Sequence, residues 1–187
     1  MPTGARSSRL PISVIAALAL GFAVVTSTAS PAWAVAPAND NFANAQAHTG
    51  PFSDTVSNVD ATVEGSEPAA SCSGVSPYKT VWCSLTLSTA ATVHADAFGS
   101  NFGTVLTVHT CASLGTLTEV ACNDDFAGIL APSELTFSAS ASTTYWIRVD
   151  GFSDGRPPPA NLPDGTAVLA VQTVPTCSLC QMLAPPT

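Results

Sequence analysis

Short segments in which hydrophobic and polar residues alternate with a period of two follow one another along the chain from Phe52 onward. In "TVWCSLTL" this pattern assigns alternate residues to the two faces of a strand, with Val81, Cys83, Leu85 and Leu87 opposite Trp82, Ser84 and Thr86. The same pattern recurs in "ATVHADA", "TVLTVHT", "SELTFSA", "TTYWIRVDG" and "GTAVLAVQT". Clusters of Gly, Pro, Asn, Asp and Ser separate these segments. The arrangement predicts an all-β, antiparallel sandwich without a substantial helix.

The N-terminal segment has a different pattern. Arg6 and Arg9 precede the apolar run "LPISVIAALALGFAVV", and small residues in an A-x-A arrangement end at Ala34. A basic start, an apolar centre and a small-residue exit together predict a signal peptide over residues 1–34 that is cleaved on export. We therefore expect the protein to be secreted and extracellular.

The predicted sandwich domain covers residues 35–174. It opens with "NDNFANAQA", which predicts a single helical turn capped by Asp40 or Asn41. Residues 175–187 form a predicted tail that contains the CxxC sequence "CSLC".

The charge of the chain limits its partners. After removal of the signal peptide all 13 acidic residues remain, but only Lys79, Arg148 and Arg156 are basic, so the formal charge is 3 − 13 = −10. Such a surface cannot neutralise phosphates, which excludes nucleic acid and an anionic membrane surface as partners. An extracellular protein or polysaccharide is the expected partner.

The six cysteines all follow the signal peptide and would reach an oxidising compartment. Fifteen pairings of six cysteines exist, and the sequence favours the three local ones: Cys72 with Cys83, Cys111 with Cys122, and Cys177 with Cys180. A tight hairpin would not place Cys122 opposite Cys111, so the loop between them would have to be wide. A CxxC pair that joins another chain is the alternative for the last two.

Six spaced pieces of the chain, taken in order, resemble a known family. They are "NDNFANAQ", "ATVEGSEP", "TVWCSLT", "NFGTVLTVHT", "VACNDD" and "TTYWIRVDG", spread over roughly residues 39–173. In this order they resemble the bacterial pre-peptidase C-terminal domain, a small secreted β-sandwich of jelly-roll type. The chain departs from the family pattern at Gly103, where an Asp commonly precedes the Thr of the "VLxV" strand.

The resemblance implies an accessory module rather than an enzyme. Domains of this family usually accompany secreted peptidases or other exoenzymes, and some relatives bind collagen or hold calcium. No peptidase segment accompanies the module in this chain, so we expect it to act on its own.

Asn123, Asp124 and Asp125 form a polar turn between two apolar segments. Calcium is bound by six to eight oxygen atoms, several of which these side chains can supply, although the spacing is not that of an EF-hand. The alternative is a turn, because Asn and Asp hydrogen-bond locally and accept turn geometry. The sequence favours the turn, with calcium as the cofactor to test and no other cofactor expected.

Signals for catalysis are weak. "GFSDG" places Ser153 in a G-x-S-x-G pattern, but "RPPPAN" follows where a nucleophile elbow needs a helix. His94 and Asp96 share one face of a strand, and a solvated pair is the expected explanation. A small secreted hydrolase with an unrecognised site is therefore the alternative to a non-catalytic module.

Trp82 and Trp146 alternate away from the apolar set in their strands and are candidates for a ligand-binding face. The sequence favours the other interpretation, in which both indoles belong to the core or are covered by loops. The function expected from the sequence is a secreted, non-catalytic accessory or binding module. A structural protein stabilised by calcium is a further alternative.

Overall fold

A computed structural model describes residues 35–125, 131–155 and 163–176. The predicted signal peptide and the CxxC sequence lie outside these residues. Within them the chain forms nine strands: β1 (Gln46–His48), β2 (Phe52–Ser57), β3 (Val81–Thr86), β4 (Ala91–Asp96), β5 (Thr104–Thr110), β6 (Thr118–Asn123), β7 (Glu134–Ala139), β8 (Thr144–Gly151) and β9 (Thr166–Pro175). The helical elements in these ranges are two 3-10 turns, Phe42–Asn44 and Leu114–Thr116. No helix in the described ranges is long and apolar enough to cross a membrane.

The strands form two sheets with jelly-roll connectivity. One sheet has the order β1-β3-β8-β5-β6 and the other has the order β2-β9-β4-β7. When β2 to β9 are counted as strands 1 to 8, the sheets read 2-7-4-5 and 1-8-3-6, which is the jelly-roll arrangement. The predicted all-β sandwich is confirmed. One pairing is not antiparallel, because β1 lies parallel to β3 with Gln46 opposite Cys83.

The core lies between the sheets and consists of the apolar faces that the alternation predicts. Leu85, Leu106 and Ile147 of the first sheet are fully buried, as are Val93 and Ala95 of the second. Burial of each large side chain contributes roughly 1.5–3 kcal/mol relative to exposure, so these inner faces hold the two sheets together.

Much of the outer face of the five-stranded sheet is also buried, because residues 58–80 lie across it and contact β8 and β6. We call these residues the cover segment. Thr107 and His109 of β5 and Arg148 of β8 all point outward from the sandwich, yet each is 0% exposed. The period-two pattern assigned this face to the polar side of the sheet, and the cover segment makes it a second interior.

The two ends of the described domain are held by hydrogen bonds. The predicted helical turn is present as Phe42–Asn44 with Asn41 at the N-cap position, but no side chain caps it. The Asp40 carboxylate instead accepts hydrogen bonds from the Thr62 N–H at 2.5 Å and the Thr62 hydroxyl at 2.7 Å. At the other end β9 pairs with β4 as far as Pro175, which lies opposite Ala91 and one residue beyond the predicted domain boundary.

Candidate functional site

The disulfide in the described residues joins Cys72 of the cover segment to Cys122 of β6, with the two Cα atoms 5.8 Å apart. The predicted pairings of Cys72 with Cys83 and of Cys111 with Cys122 are therefore wrong. Cys83 is a buried free thiol in β3, and Cys111 is an exposed free thiol. Sequence distance misled the prediction, because the cover segment folds over the sheet and brings Cys72 to β6. The predicted Cys177–Cys180 pair lies outside the described residues.

A buried group of charges lies beneath the cover segment. Arg148 donates from Nη1 to the Pro68 carbonyl at 2.8 Å, and its Nε lies 2.6 Å from Asp150 Oδ1. Its Nη1 also lies 3.6 Å from Glu67 Oε2. Burial raises the pKa of both Glu67 and Asp150, while Arg148 opposes that shift by favouring their ionised forms. The guanidinium thus keeps two buried carboxylates paired, and its centre lies 5.5 Å from the Trp82 ring.

His109 belongs to the same buried face. Its Nε2 lies 2.9 Å from the Thr107 hydroxyl, and its ring is 6.1 Å from that of Trp82. Burial, with a further contribution from Arg148, lowers the pKa of His109 from 6.5 to about 4. The imidazole is therefore neutral at physiological pH.

The two candidate tryptophans differ in exposure. Trp82 is 0% exposed beneath the cover segment, so it cannot present a ligand-binding face in this structure. Trp146 is partly buried, and its ring lies 4.2 Å from that of Phe42. Phe42 also contacts Trp82 edge-on at 5.2 Å. Both indoles pack against Phe42 of the N-terminal turn, in agreement with the loop-covered arrangement that the sequence favoured.

The Asn123–Asp125 turn connects β6 toward β7. Asn123 Oδ1 accepts a hydrogen bond from the Glu134 N–H at 3.1 Å, and Asp125 Oδ1 accepts one from the Ala131 N–H at 3.0 Å. Burial and the neighbouring Asp125 carboxylate raise the pKa of Asp124 to about 6. The backbone N–H groups bound by Asn123 and Asp125 are those expected at the end of a strand. Asp124 Oδ1 is buried and has no hydrogen-bond partner among the described residues, so a calcium ligand at this position stays a prediction.

The candidate catalytic residues do not come together. His94 of β4 is bonded to Glu134 of β7 through Nε2, and its Nδ1 lies 3.8 Å from Asp96. Ser153 follows β8 and lines an open depression at the end of the sandwich. No histidine is among the described residues that line this depression.

Three further side chains meet at the open edge between the sheets. His48 Nε2 of β1 lies 2.8 Å from Asp54 Oδ2 of β2, and the same oxygen lies 3.7 Å from the sulfur of Cys83 in β3. Phe52 stacks on the His48 ring with the centroids 3.6 Å apart. Burial, with a contribution from Asp54, raises the pKa of Cys83 to about 12, so the free thiol is protonated and is not a nucleophile at neutral pH.

Sequence reasoning did not find this cluster or the buried charges. Arg148 could have been noticed as a charged residue in the middle of a strand. Asp54 could have been noticed because "FSDTV" places a carboxylate in line with Phe52 and Val56, on what would be an apolar face.

The fold and these sites define a jelly-roll β-sandwich with one covered face. No protein-family model matches the chain, and no curated protein matches it. Among solved structures the chain is similar to the pre-peptidase C-terminal domain of collagenase from Bacillus anthracis, with 16% sequence identity, a TM-score of 0.42, and coverage of 68% of this chain and 94% of that chain. This is the family that the ordered sequence pieces resemble. At this identity and TM-score the likeness says nothing about ligands or activity, which must be argued from the residues themselves.

Proposed function

We propose that the protein is a secreted accessory module that binds an extracellular protein or polysaccharide without covalent chemistry. The observation that carries this proposal is the open depression of about 480 Å³ at one end of the sandwich. Its lining comes from the cover segment and from the turn after β8: Gly74, Val75, Ser76, Pro77, Tyr78, Ser153, Asp154 and Gly155. The two loops are joined where the Gly151 N–H donates to the Tyr78 carbonyl at 2.9 Å.

The chemistry of the depression suits a neutral or basic polymer. Tyr78 is 36% exposed as a residue, and its side chain offers an apolar ring with a polar hydroxyl tip. Ser76 and Ser153 add hydroxyl groups that can donate or accept hydrogen bonds. A sugar ring or an extended peptide presents the same combination of apolar face and hydrogen-bonding groups. The acidic surface favours a partner that is not itself acidic.

The surroundings of the depression support binding over catalysis. Ser153 would need a base within hydrogen-bond reach to act as a nucleophile. Among the described residues His94 is instead held by Glu134 on the four-stranded sheet, and Cys83 is a protonated thiol. The hydrolase alternative therefore needs a histidine base that the described lining does not supply, since the titratable carboxyl group of the lining is that of Asp154, the residue next to Ser153.

A retention experiment tests the proposal. The purified protein is passed over insoluble polysaccharides and fibrous proteins, beside Tyr78→Ala and the matched control Phe98→Ala. Phe98 is an aromatic residue of similar exposure, 42%, that does not line the depression. We expect retention of the starting protein on at least one polymer, about tenfold weaker retention of Tyr78→Ala, and unchanged retention of Phe98→Ala.

Two results would contradict the proposal. Equal retention of Tyr78→Ala and the starting protein would show that the depression is not the binding surface. Turnover of peptide, ester or glycoside substrates that disappears in Ser153→Ala would instead establish the hydrolase alternative. The remaining alternative, a structural protein that calcium stabilises, is tested separately by comparing thermal unfolding with calcium and with a chelator.

A further inference from the structure

We propose that His48, Asp54 and Cys83 form a binding site for Zn²⁺ at the open edge of the sandwich. The three residues come from three different strands and offer one nitrogen, one oxygen and one sulfur atom, all within 4.8 Å of one another. This proposal does not depend on the function proposed above, because the site lies apart from the residues that line the depression.

The spacing of the donor atoms is near that of a tetrahedral zinc shell. With usual zinc–ligand distances, neighbouring nitrogen, oxygen and sulfur ligands are about 3.3–3.6 Å apart. Here His48 Nε2 and Asp54 Oδ2 are 2.8 Å apart, and Asp54 Oδ2 and Cys83 Sγ are 3.7 Å apart. The third pair, His48 and Cys83, has its ligand atoms no more than 4.8 Å apart, so side-chain rotations of about 1 Å or less would bring the three atoms into a zinc shell.

The donor set selects zinc over calcium. A thiolate and an imidazole are ligands for Zn²⁺, whereas calcium is held by six to eight oxygen atoms. A coordinated thiol gives up its proton to solvent, so zinc binding converts Cys83 to the thiolate. Three protein ligands leave the fourth position for a water molecule.

The cluster is reachable and lies where an ordinary core residue would be expected. The side chains of His48 and Asp54 are 14% and 18% exposed, which provides a path for the ion. Asp54 faces inward along β2 between Phe52 and Val56, both of which pack against the core. Burying a carboxylate at such a position costs free energy unless the carboxylate is paired. The Asp54 carboxylate lies against the His48 imidazole and also against the free thiol of Cys83.

The position of the site gives the ion a structural effect. His48 and Cys83 belong to the five-stranded sheet and Asp54 belongs to the four-stranded sheet, so an ion bound by all three would link the two sheets. β1 and β2 are edge strands of their sheets. Zinc would therefore stabilise the side of the sandwich where neither sheet has a further strand among the described residues.

The test uses a background in which Cys83 is the one free thiol. The chain has six cysteines, and serine at positions 111, 177 and 180 leaves the Cys72–Cys122 disulfide and Cys83. This background also removes the CxxC sequence as a competing zinc ligand. The purified background protein is stripped with a chelator and titrated with Co²⁺, then with Zn²⁺, in the presence of excess Ca²⁺.

We expect one Co²⁺ per chain with a thiolate-to-cobalt charge-transfer band, which Zn²⁺ abolishes and Ca²⁺ does not affect. Zinc at about 100 times its dissociation constant should raise the folded-to-unfolded ratio about 100-fold and shift the thermal midpoint upward. Loss of even an outer-sphere partner weakens metal sites 10–100-fold, so His48→Gln, Asp54→Asn and Cys83→Ala should each weaken binding by more than about 100-fold.

The matched control is His94→Gln. His94 is also a strand histidine bonded to carboxylates, but no cysteine accompanies it in the described structure, so this variant should bind Co²⁺ as the background does. Asp54→Asn keeps the side-chain shape, and circular dichroism of each variant shows whether it is folded. The proposal fails if the folded background protein gives no charge-transfer band and no shift of the midpoint. It also fails if the band persists in Cys83→Ala, or if zinc stabilises His48→Gln and Asp54→Asn as it stabilises the background.

Discussion

The Cys72–Cys122 disulfide should contribute strongly to stability, because it closes a long loop and fastens the cover segment over the outer face of the sheet. The perturbation is the double substitution Cys72→Ser and Cys122→Ser, which removes the bond without leaving a reactive thiol. Ser71 of the cover segment also hydrogen-bonds the Glu119 carboxylate, but that contact is exposed and cannot replace the covalent link.

The expected magnitude follows from the length of the loop. The two cysteines are 50 residues apart in sequence, and the chain-entropy relation gives about 4 kcal/mol for a loop of that size. The local pairing that the sequence favoured, Cys72 with Cys83, would close a loop of 83 − 72 = 11 residues and would contribute about 3 kcal/mol. Since small domains are stable by only about 5–15 kcal/mol, either loss would be large.

The assay is urea unfolding of the double variant beside Cys111→Ser, which removes an exposed free thiol and should change stability by less than about 0.5 kcal/mol. Trp82 lies beneath the cover segment, so its fluorescence reports whether that segment opens.

Disulfide mapping decides the pairing itself. Digestion without reduction should give a peptide containing Cys72 linked to one containing Cys122. Recovery of Cys72 linked to Cys83, or of Cys111 linked to Cys122, would refute the pairing and the account of the covered face with it. An unchanged midpoint in urea for the double variant would refute the stability argument alone.

Three further predictions concern charged and polar residues. His109 has a lowered pKa of about 4, so the stability it contributes is complete above its ordinary pKa of 6.5 and is lost as pH falls toward 4. The loss of unfolding free energy is at most about 3 kcal/mol. The variant His109→Gln should lack this dependence of stability on pH, whereas the control His94→Gln should keep it. Arg148→Met should lower the free energy of unfolding by about 3–5 kcal/mol, because it leaves buried carboxylates unpaired. The control Lys79→Met breaks a partly exposed ion pair and should lower it by only about 0–1 kcal/mol. Asp124→Asn should slightly raise the free energy of unfolding at pH 8, because it removes a carboxylate whose pKa is raised to about 6 in the folded protein. Addition of calcium or of a chelator should leave the thermal midpoint of the starting protein unchanged.

Each of these predictions has an opposing result. A His109→Gln profile with the same acid slope as the starting protein would show that folding does not lower the pKa of His109. Equal effects of Arg148→Met and Lys79→Met would mean that the buried charges are solvated. A higher midpoint in calcium, absent from Asp124→Asn, would establish the calcium site in place of the turn.

The alternation in β3 shows how far the sequence could be interpreted. It correctly assigned Val81, Cys83, Leu85 and Leu87 to the core, because a strand has only two faces and one of them carried every aliphatic residue of this segment. It could not predict whether Trp82 is exposed, because the period is the same whether the second face of the strand contacts solvent or is covered by another segment. The alternation contains no information about what lies across a sheet.

The candidate sites show the same limit. The end of β6 at Asn123 was predictable, because Asn and Asp are residues that favour the ends of strands, although their hydrogen-bond partners Glu134 and Ala131 were not. The meeting of His48, Asp54 and Cys83 was not, because it depends on a chain crossing from one sheet to the other and on the parallel pairing of β1 with β3. The six cysteines were similarly ambiguous until the path of the cover segment brought Cys72 beside Cys122.

The amino-acid sequence by itself determined the β-sandwich class and the residues of its inner faces, since both follow from a local period and from turn residues. Only the tertiary structure decided that residues 58–80 bury the outer face, that Arg148 and His109 lie in a second interior, and which cysteines are joined. These features arise from contacts between residues dozens of positions apart, and their free energy depends on the arrangement of neighbouring strands rather than on any pattern within one strand.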